Sequence, residues 1–239
     1  MRYCDLSLGT PEENLACDET LLELCEEGHE GELLRVWESG RYFVVLGYAS
    51  KANDEVNFAF CQQNTIPVLR RCTGGGTVLQ GPGCLSYSVI LRIDESGPLH
   101  SIPATNDFVL NRHREALATL LGAQVEMQGH TDLAIGGLKF SGNSQRRKKR
   151  YLIFHGTFLL HLDISLVEKA LPLPPRQPAY RSHRSHADFL MNVKVPAHSV
   201  KEALAKAWSA SERLTEIPLE RISMLAETKY ASAEWNLKF

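Results

Sequence analysis

Apolar and polar positions in this chain follow two alternating periods. Leu15, Leu21, Leu22 and Cys25 recur at helical spacing behind Thr10-Pro11-Glu12-Glu13. There Thr10 serves as N-cap, Pro11 takes the first helical position and Glu13 completes a capping box. Residues 33–37 and 42–46 read as two strands joined through Ser39-Gly40 as a hairpin. A short helix over 56–63 leads to a strand over 66–71, and residues 84–92 form a further strand. The helical period returns over 106–121 and ends at Gly122, a residue that accepts the left-handed conformation past a last turn. Residues 124–128, 132–135, 139–141 and 151–162 read as successive strands, with Gly136-Gly137 as a hairpin turn. Residues 172–198 are rich in proline and histidine and show no period. Ser199-Val200-Lys201-Glu202 reads as a second capping box, opening a helix to Leu214, and Pro218 starts the next helix. Strands cluster in the middle, helices at both ends and between. That order predicts an α+β fold with mostly hairpin-joined strands, not a regular βαβ alternation.

Composition narrows this further. At 239 residues the chain can bury a sizeable core as one large domain or two small ones. The only linker-like stretch, 172–198, is too short to separate independent units, so residues 1–239 are expected to form one domain. A net charge of −2 argues against a general nucleic-acid binder. No apolar run approaches the ~18 residues of a membrane span, and the N-terminus lacks the apolar stretch of a secretory signal. The six cysteines lie at 4, 17, 25, 61, 72 and 84, none in a Cys-x-x-Cys pair, so free thiols in a reducing cytoplasm are expected.

Two segments carry chemistry. The first is Arg70-Arg71-Cys72-Thr73-Gly74-Gly75-Gly76-Thr77-Val78, followed by the turn Gly81-Pro82-Gly83. Glycines let backbone amides press against a ligand, oriented amides favour anions, and a guanidinium fork suits phosphate or carboxylate oxygens. The spacing matches neither a P-loop nor a dinucleotide fingerprint. A tight turn with surface arginines would be the plain alternative. The second segment is Gly137-Leu138-Lys139-Phe140-Ser141-Gly142-Asn143-Ser144-Gln145-Arg146, which places one ammonium beside a flexible, polar backbone. Phe154-His155-Gly156-Thr157-Phe158 follows it. The basic run Arg146 to Arg150 reads first as a solvated face, with acceptor docking or nuclear localisation as alternatives. His183, His186 and Asp188 lack a third strong ligand, so no metal site is expected there.

Together these motifs resemble the lipoate–protein ligase A family, within the biotin/lipoate ligase and octanoyltransferase superfamily. The family pattern Arg-Arg-x-Ser/Thr-Gly-Gly-Gly-x-Val, Asn-Asp-Leu, Gly-x-Lys-x-Ser-Gly-x-Ala/Ser-x-Arg and His-His-Gly-Thr-Leu-Leu appears in order at residues 70–78, 131–133, 137–146 and 154–160. The ends, Asn14-Leu15-Ala16 and residues 230–239, look like the limits of that family's large catalytic domain. The resemblance implies two mainly antiparallel or mixed β-sheets flanked by helices, related to the biotin–protein ligase core. It implies that lipoate and ATP with Mg²⁺ give lipoyl-AMP, and that the acyl group then passes to a lysine of an apo lipoyl-domain acceptor protein. Lys139 would be the catalytic ammonium. Arg70, Arg71, Gly74, Gly75, Gly76, Thr77, Val78, Gly81, Ser141, Gly142, Asn143, His155, Gly156 and Thr157 would bind substrate or adenylate. Asp132 would lie near the nucleotide and hold its Mg²⁺. Pocket walls are expected from residues 37–47 and from Val78 and Leu79.

The chain departs from the pattern at Thr131 (usually Asn), Gln80 (often His) and Phe154 (usually His), and Gly81-Pro82-Gly83 is similar to the octanoyltransferase turn. The accessory domain that many ligases carry after the large domain is not matched. Adenylation would then need a separate accessory subunit, or the large domain works alone, or the chain is a lipoyl or octanoyl transferase drawing on a carrier thioester or a preformed adenylate. A non-catalytic carrier of the lipoyl group is a third class. Cys72 and Cys84 could serve as acyl nucleophiles, yet cysteine-using relatives carry theirs just before the Asp-Leu motif, where residues 124–128 have none. That favours adenylate chemistry.

Overall fold

A computed structural model describes residues 1–94 and 96–239. The chain opens with strand β1 (Arg2–Asp5) and helix α1 (Pro11–Glu27), capped as its sequence dictates: Glu13 N–H donates to the Thr10 hydroxyl at 3.2 Å and Thr10 N–H to the Glu13 carboxylate at 2.9 Å. Strands β2 (Leu33–Trp37) and β3 (Phe43–Leu46) follow, then short helices α2 (Ala52–Glu55) and α3 (Phe58–Gln63), and strands β4 (Val68–Arg70), β5 (Val78–Gln80) and β6 (Cys84–Arg92). After the long helix α4 (Ile102–Leu121) come β7 (Glu126–Gln128), β8 (Asp132–Ile135), β9 (Leu138–Arg147) and β10 (Tyr151–Leu159). Helices α5 (Ile164–Ala170), α6 (His186–Phe189) and α7 (Ala197–Ala207), strand β11 (Glu212–Arg213), α8 (Leu219–Leu225) and α9 (Ala233–Asn236) complete the order.

The strands form two sheets. The large one has the order β11-β1-β2-β6-β10-β9-β8-β7, parallel between β11, β1 and β2 and antiparallel elsewhere. The small one has the order β4-β3-β5, with β3 parallel to β4 and antiparallel to β5. The expected α+β class with two mixed sheets and flanking helices is what the chain adopts. One face of the large sheet packs on α4 and α7 through Leu34, Val36, Leu117, Leu133, Phe140, Phe154 and Leu204. The other packs on α1 and the C-terminal helices through Leu22, Leu33, Ile90, Ile153 and Tyr230. Among the described residues no helix is long and apolar enough to cross a membrane.

Several expected elements are corrected. The strands at 33–37 and 42–46 do not form a hairpin. β2 pairs with β1 and β6, whereas β3 pairs with β4 and β5, so residues 38–42 carry the chain from one sheet to the other. Both strands are buried along their whole length, so they lack the polar alternation that would betray pairing partners. Helix α4 starts at Ile102, four residues before the expected Asn106, because Ser101 caps it and Pro103 fits its first turn. Helix α7 starts at Ala197 after Pro196 and ends at Ala207. Ser199 therefore sits inside its first turn and the box at 199–202 caps nothing. Strand β9 runs on through Arg147, well past Ser141, because β10 supplies a ladder as far as Leu152.

Candidate active site

A cavity of about 560 Å³ opens between the two sheets. The loop between β4 and β5 forms one rim, and the facing ends of β8, β9 and β10 form the floor. Arg71, Gly75, Gly76, Thr77, Val78, Asp132, Lys139, Ser141, Gly142, Asn143, His155, Gly156 and Thr157 all line it, so most of the expected site residues converge. Trp37, Val45, Val78 and Leu79 contribute the apolar walls expected of residues 37–47 and 78–79. The segment 172–190, which carried no sequence period, folds over the cavity and adds Arg176, Arg181 and Phe189 to its lining.

Arg70, Gly74 and Gly81 fall outside the lining, contrary to expectation. Successive side chains of a strand point to opposite faces, so only one of two adjacent arginines can face the cavity. Arg70 faces away and is fully buried. Its guanidinium donates to the carbonyls of Gly47 (2.8 Å), Tyr48 (3.1 Å), Ser50 (2.8 Å), Trp235 (3.2 Å) and Asn236 (3.1 Å), fastening α9 to the loop after β3. Gly81 instead lies against Tyr42, where a Cβ would come within 2.5 Å of the ring.

Arg71 organises the glycine loop. Its guanidinium donates to the carbonyls of Gly74 (2.6 Å) and Gly76 (2.9 Å) and to the Thr73 hydroxyl (3.1 Å). Burial pulls its pKa down to about 10, so it remains charged at neutral pH. In a trans peptide the C=O and the following N–H point opposite ways, so the Gly75 and Thr77 amides turn away from Arg71. Among the described residues those amides have no hydrogen-bond partner, which leaves them as donors for an anion. Gly47 admits the loop: a Cβ there would sit 1.9 Å from the Gly75 carbonyl oxygen.

On the floor, the Lys139 ammonium lies 2.8 Å from Asp132 Oδ1, and the Tyr180 hydroxyl donates to Asp132 Oδ2 at 2.7 Å. Burial first, then the neighbouring carboxylate, pushes the Tyr180 phenol well above its ordinary range, so it stays a proton donor. Lys139 crosses directly over Gly142, where a Cβ would stand 2.8 Å from Nζ. Asn143 is held on every side: its amide donates to Thr131 O (2.6 Å), Thr131 Oγ1 donates back to Asn143 O (2.6 Å), and the Tyr87 hydroxyl donates to its Oδ1 (2.6 Å). The unusual Thr131 thus serves to clamp Asn143. Gly156 makes room for the same side chain, since a Cβ there would fall 1.9 Å from Asn143 Oδ1.

Behind the floor lies a set of buried polar groups on α1 and β2 that the residue patterns did not single out. Fully buried Arg35 donates to Asp18 Oδ1 (2.5 Å) and Asn14 Oδ1 (2.7 Å), and Asp18 Oδ2 stands 3.8 Å from His155 Nδ1. Burial works to raise the Asp18 pKa, but the Arg35 charge, with His155 nearby, holds it below its ordinary value. Glu19, one residue on, binds Lys229, Arg146 and Tyr230. The readable signal was Asn14 and Asp18, four apart on the apolar face of α1.

The basic run is mostly consumed in structural pairs and is no free face. Arg146 binds Glu19, Arg147 donates to Leu99 O and Thr105, and Lys148 pairs with Glu23. The six cysteines are free and buried, and none lines the cavity. Burial pushes the Cys72 thiol up to about 11 and the Cys84 thiol up to about 12. Among the described residues no three His, Cys, Asp or Glu groups are arranged to hold a metal ion.

This fold and cavity are those of an acyl-protein ligase or transferase catalytic domain. Residues 10–209 match the lipoyl protein ligase A/B catalytic domain, and the chain belongs to that family. Lipoate-protein ligase A subunit 1 of Thermoplasma acidophilum is 25% identical over 96% of this chain and 93% of its own. An octanoyltransferase of Brevibacillus brevis is 27% identical over 99% of this chain and 98% of its own. Lipoate–protein ligase 1 of Staphylococcus aureus is 26% identical over 95% of this chain and 70% of its own. Among solved structures, the bi-partite archaeal ligase of Thermoplasma acidophilum superposes with a TM-score of 0.84 at 24% identity, covering 99% of this chain and 95% of that one. A lipoate-protein ligase A bound with ATP superposes with a TM-score of 0.81 at 25% identity, covering 99% of this chain and 98% of that one.

Proposed function

We propose that this chain is a lipoate–protein ligase: it activates lipoate with ATP as lipoyl-AMP and transfers the acyl group to a lysine of an apo lipoyl-domain protein. The observation that carries this reading is one ammonium, Lys139, beside Asp132 on the cavity floor, facing a loop with unpaired amides. Free carboxylate does not acylate an amine, because its oxygen is a poor leaving group. Adenylation replaces that oxygen with AMP, and it requires two anions to meet. Lys139, the Arg71-braced loop and its amides would neutralise the approach, and a single well-placed donor of this kind is worth about 3–4 kcal/mol. The apolar walls at Trp37, Val45 and Val78 would take the acyl chain.

Mg²⁺ fits this donor set in one way. Of the two carboxylates that line the cavity, Asp18 is tied to Arg35, which leaves Asp132, and Mg²⁺ commonly binds through one carboxylate plus substrate phosphates. Bound there, it would screen the triphosphate.

A transferase using a carrier thioester is the second reading, favoured by the full-length octanoyltransferase relatives. Against an acyl-cysteine route, no cysteine lines the cavity. The Thermoplasma ligase that superposes on this chain is bi-partite, so a separate accessory subunit is part of the proposal. Six unpaired thiols suit a reducing cytoplasm. Free lipoate, ATP, Mg²⁺ and an apo lipoyl domain are mixed with the chain, and the acceptor is weighed by intact mass. ATP-dependent lipoylation is expected, and Lys139→Ala should reduce pyrophosphate release about 100-fold or more. Modification from an octanoylated carrier protein alone would replace the ligase reading with the transferase one.

A further inference from the structure

Ser144, one of two cavity-lining serines on β9, opens onto a chain of polar groups that leads out of the site. β9 and β10 pair so that Ser144 stands directly opposite His155. The buried Thr73 hydroxyl lies between them, 2.8 Å from Ser144 Oγ and 2.6 Å from His155 Nε2. His155 Nδ1 then faces the Asp18 carboxylate at 3.8 Å, and Arg35 anchors that carboxylate from behind.

The inventory of donors at Thr73 decides what this chain can do. A hydroxyl has one proton to give and two lone pairs. Arg71 Nε donates to Thr73 Oγ1 at 3.1 Å, sharing that N–H with the Gly74 carbonyl at 3.1 Å, and a guanidinium can only donate, so one lone pair faces Arg71. One proton and one lone pair remain for two partners. Ser144 and His155 must therefore play opposite roles: Ser144 donates while Thr73 donates to the imidazole, or the imidazole donates while Thr73 donates to Ser144. The two arrangements differ by one proton moved along the line.

We infer that Ser144, Thr73 and His155, backed by Asp18, form a proton relay that deprotonates the incoming acceptor lysine. This rests on the acyl-transfer reading above. A protein lysine enters as an ammonium and must lose a proton before its nitrogen can attack. That proton passes to Ser144 Oγ, the serine proton to Thr73 Oγ1 and the threonine proton to His155 Nε2, leaving an imidazolium beside the Asp18 carboxylate. The amine lone pair then forms the C–N bond, the acyl C–O bond breaks with its electrons on the AMP phosphate, and the second nitrogen proton leaves to solvent. Ser144 is the group that touches the substrate amine, while Thr73, His155 and Asp18 act through it.

The test separates the two half-reactions. Single-turnover transfer from synthetic lipoyl-AMP to an apo lipoyl domain is measured beside pyrophosphate release from lipoate and ATP. Thr73→Val preserves shape and breaks the line. It is expected to slow transfer about 100-fold, at least tenfold further than it slows adenylation, and Thr73→Ser should restore most of the rate. Ser144→Ala, at the cavity surface, should reproduce the loss if the valine variant does not fold. Transfer by both variants at the wild-type rate, equal losses in both half-reactions, or no rescue by serine would overturn the relay. A wild-type chain inert towards the adenylate would instead refute the acyl-transfer reading itself.

Discussion

Gly142→Ala offers a way to move the Lys139 ammonium without removing it. A Cβ built on Gly142 would lie 2.8 Å from Lys139 Nζ and 2.9 Å from Cε, with Asp132 Oδ1 at an ordinary 3.7 Å. Non-bonded contacts of this kind settle near 3.5–4.0 Å, so the ammonium must retreat by roughly 0.7–1.2 Å. The displaced atoms are the far end of a flexible side chain, and Gly142 does not occupy the left-handed region. The backbone need not shift. Alanine also reduces the freedom of the unfolded chain, which offsets the lost Lys139–Asp132 geometry, so stability should stay within about 1 kcal/mol of wild type. For a chain of this size that is a Tm change of no more than about 4 °C. A misplacement near 1 Å at a charge-stabilising group costs about 100-fold in rate, or about 2.7 kcal/mol. The assay is pyrophosphate release with lipoate and ATP, read beside a thermal melt. A variant that keeps both full adenylation and its Tm would refute the claim that the ammonium's position on the floor governs the reaction.

Other perturbations follow from the same geometry. Arg70→Ala leaves five buried or half-buried carbonyls without their donor and should cost about 3–5 kcal/mol in a urea melt, while the rate per folded molecule changes little. Near-normal stability would show that α9 is held by other means. Cys72, raised to about 11 by burial, should resist iodoacetamide at pH 8 in the native chain and react promptly in urea, and Cys72→Ala should retain lipoylation. His113 accepts a hydrogen bond from Trp208 Nε1 at 2.7 Å, and burial lowers its pKa to about 3. Since the unfolded group titrates near 6.5, its stabilising effect is whole above that pH and declines as pH falls towards 3. About 2 kcal/mol should be lost at pH 5, and His113→Gln should abolish that dependence in pH-dependent urea melts.

The chemistry-bearing segments were legible because their signals are local. Three glycines in a row, a lysine after a Gly-Gly turn and a His-Gly-Thr run place amides and charges within a few residues of one another. The capping box at Thr10 and the turn at Gly136-Gly137 depend on neighbours three residues away or fewer, and both form as their residue types require. Strand alternation even contained the answer for Arg70 and Arg71, since adjacent side chains cannot face one cavity.

What the residue order could not decide were pairings across distance. Strands β2 and β3 are buried along their whole length and apolar but for Arg35, so no alternation in them says which sheet each joins, and only burial between layers sends them apart. The buried line from Arg35 through Asp18 to His155 joins residues 17 and 137 positions apart, and its members look ordinary until the sheet and α1 are packed. Local sequence determines the torsions and donors of a short segment. Desolvation, which turns a common aspartate or serine into part of a site, exists only once the layers have closed over it.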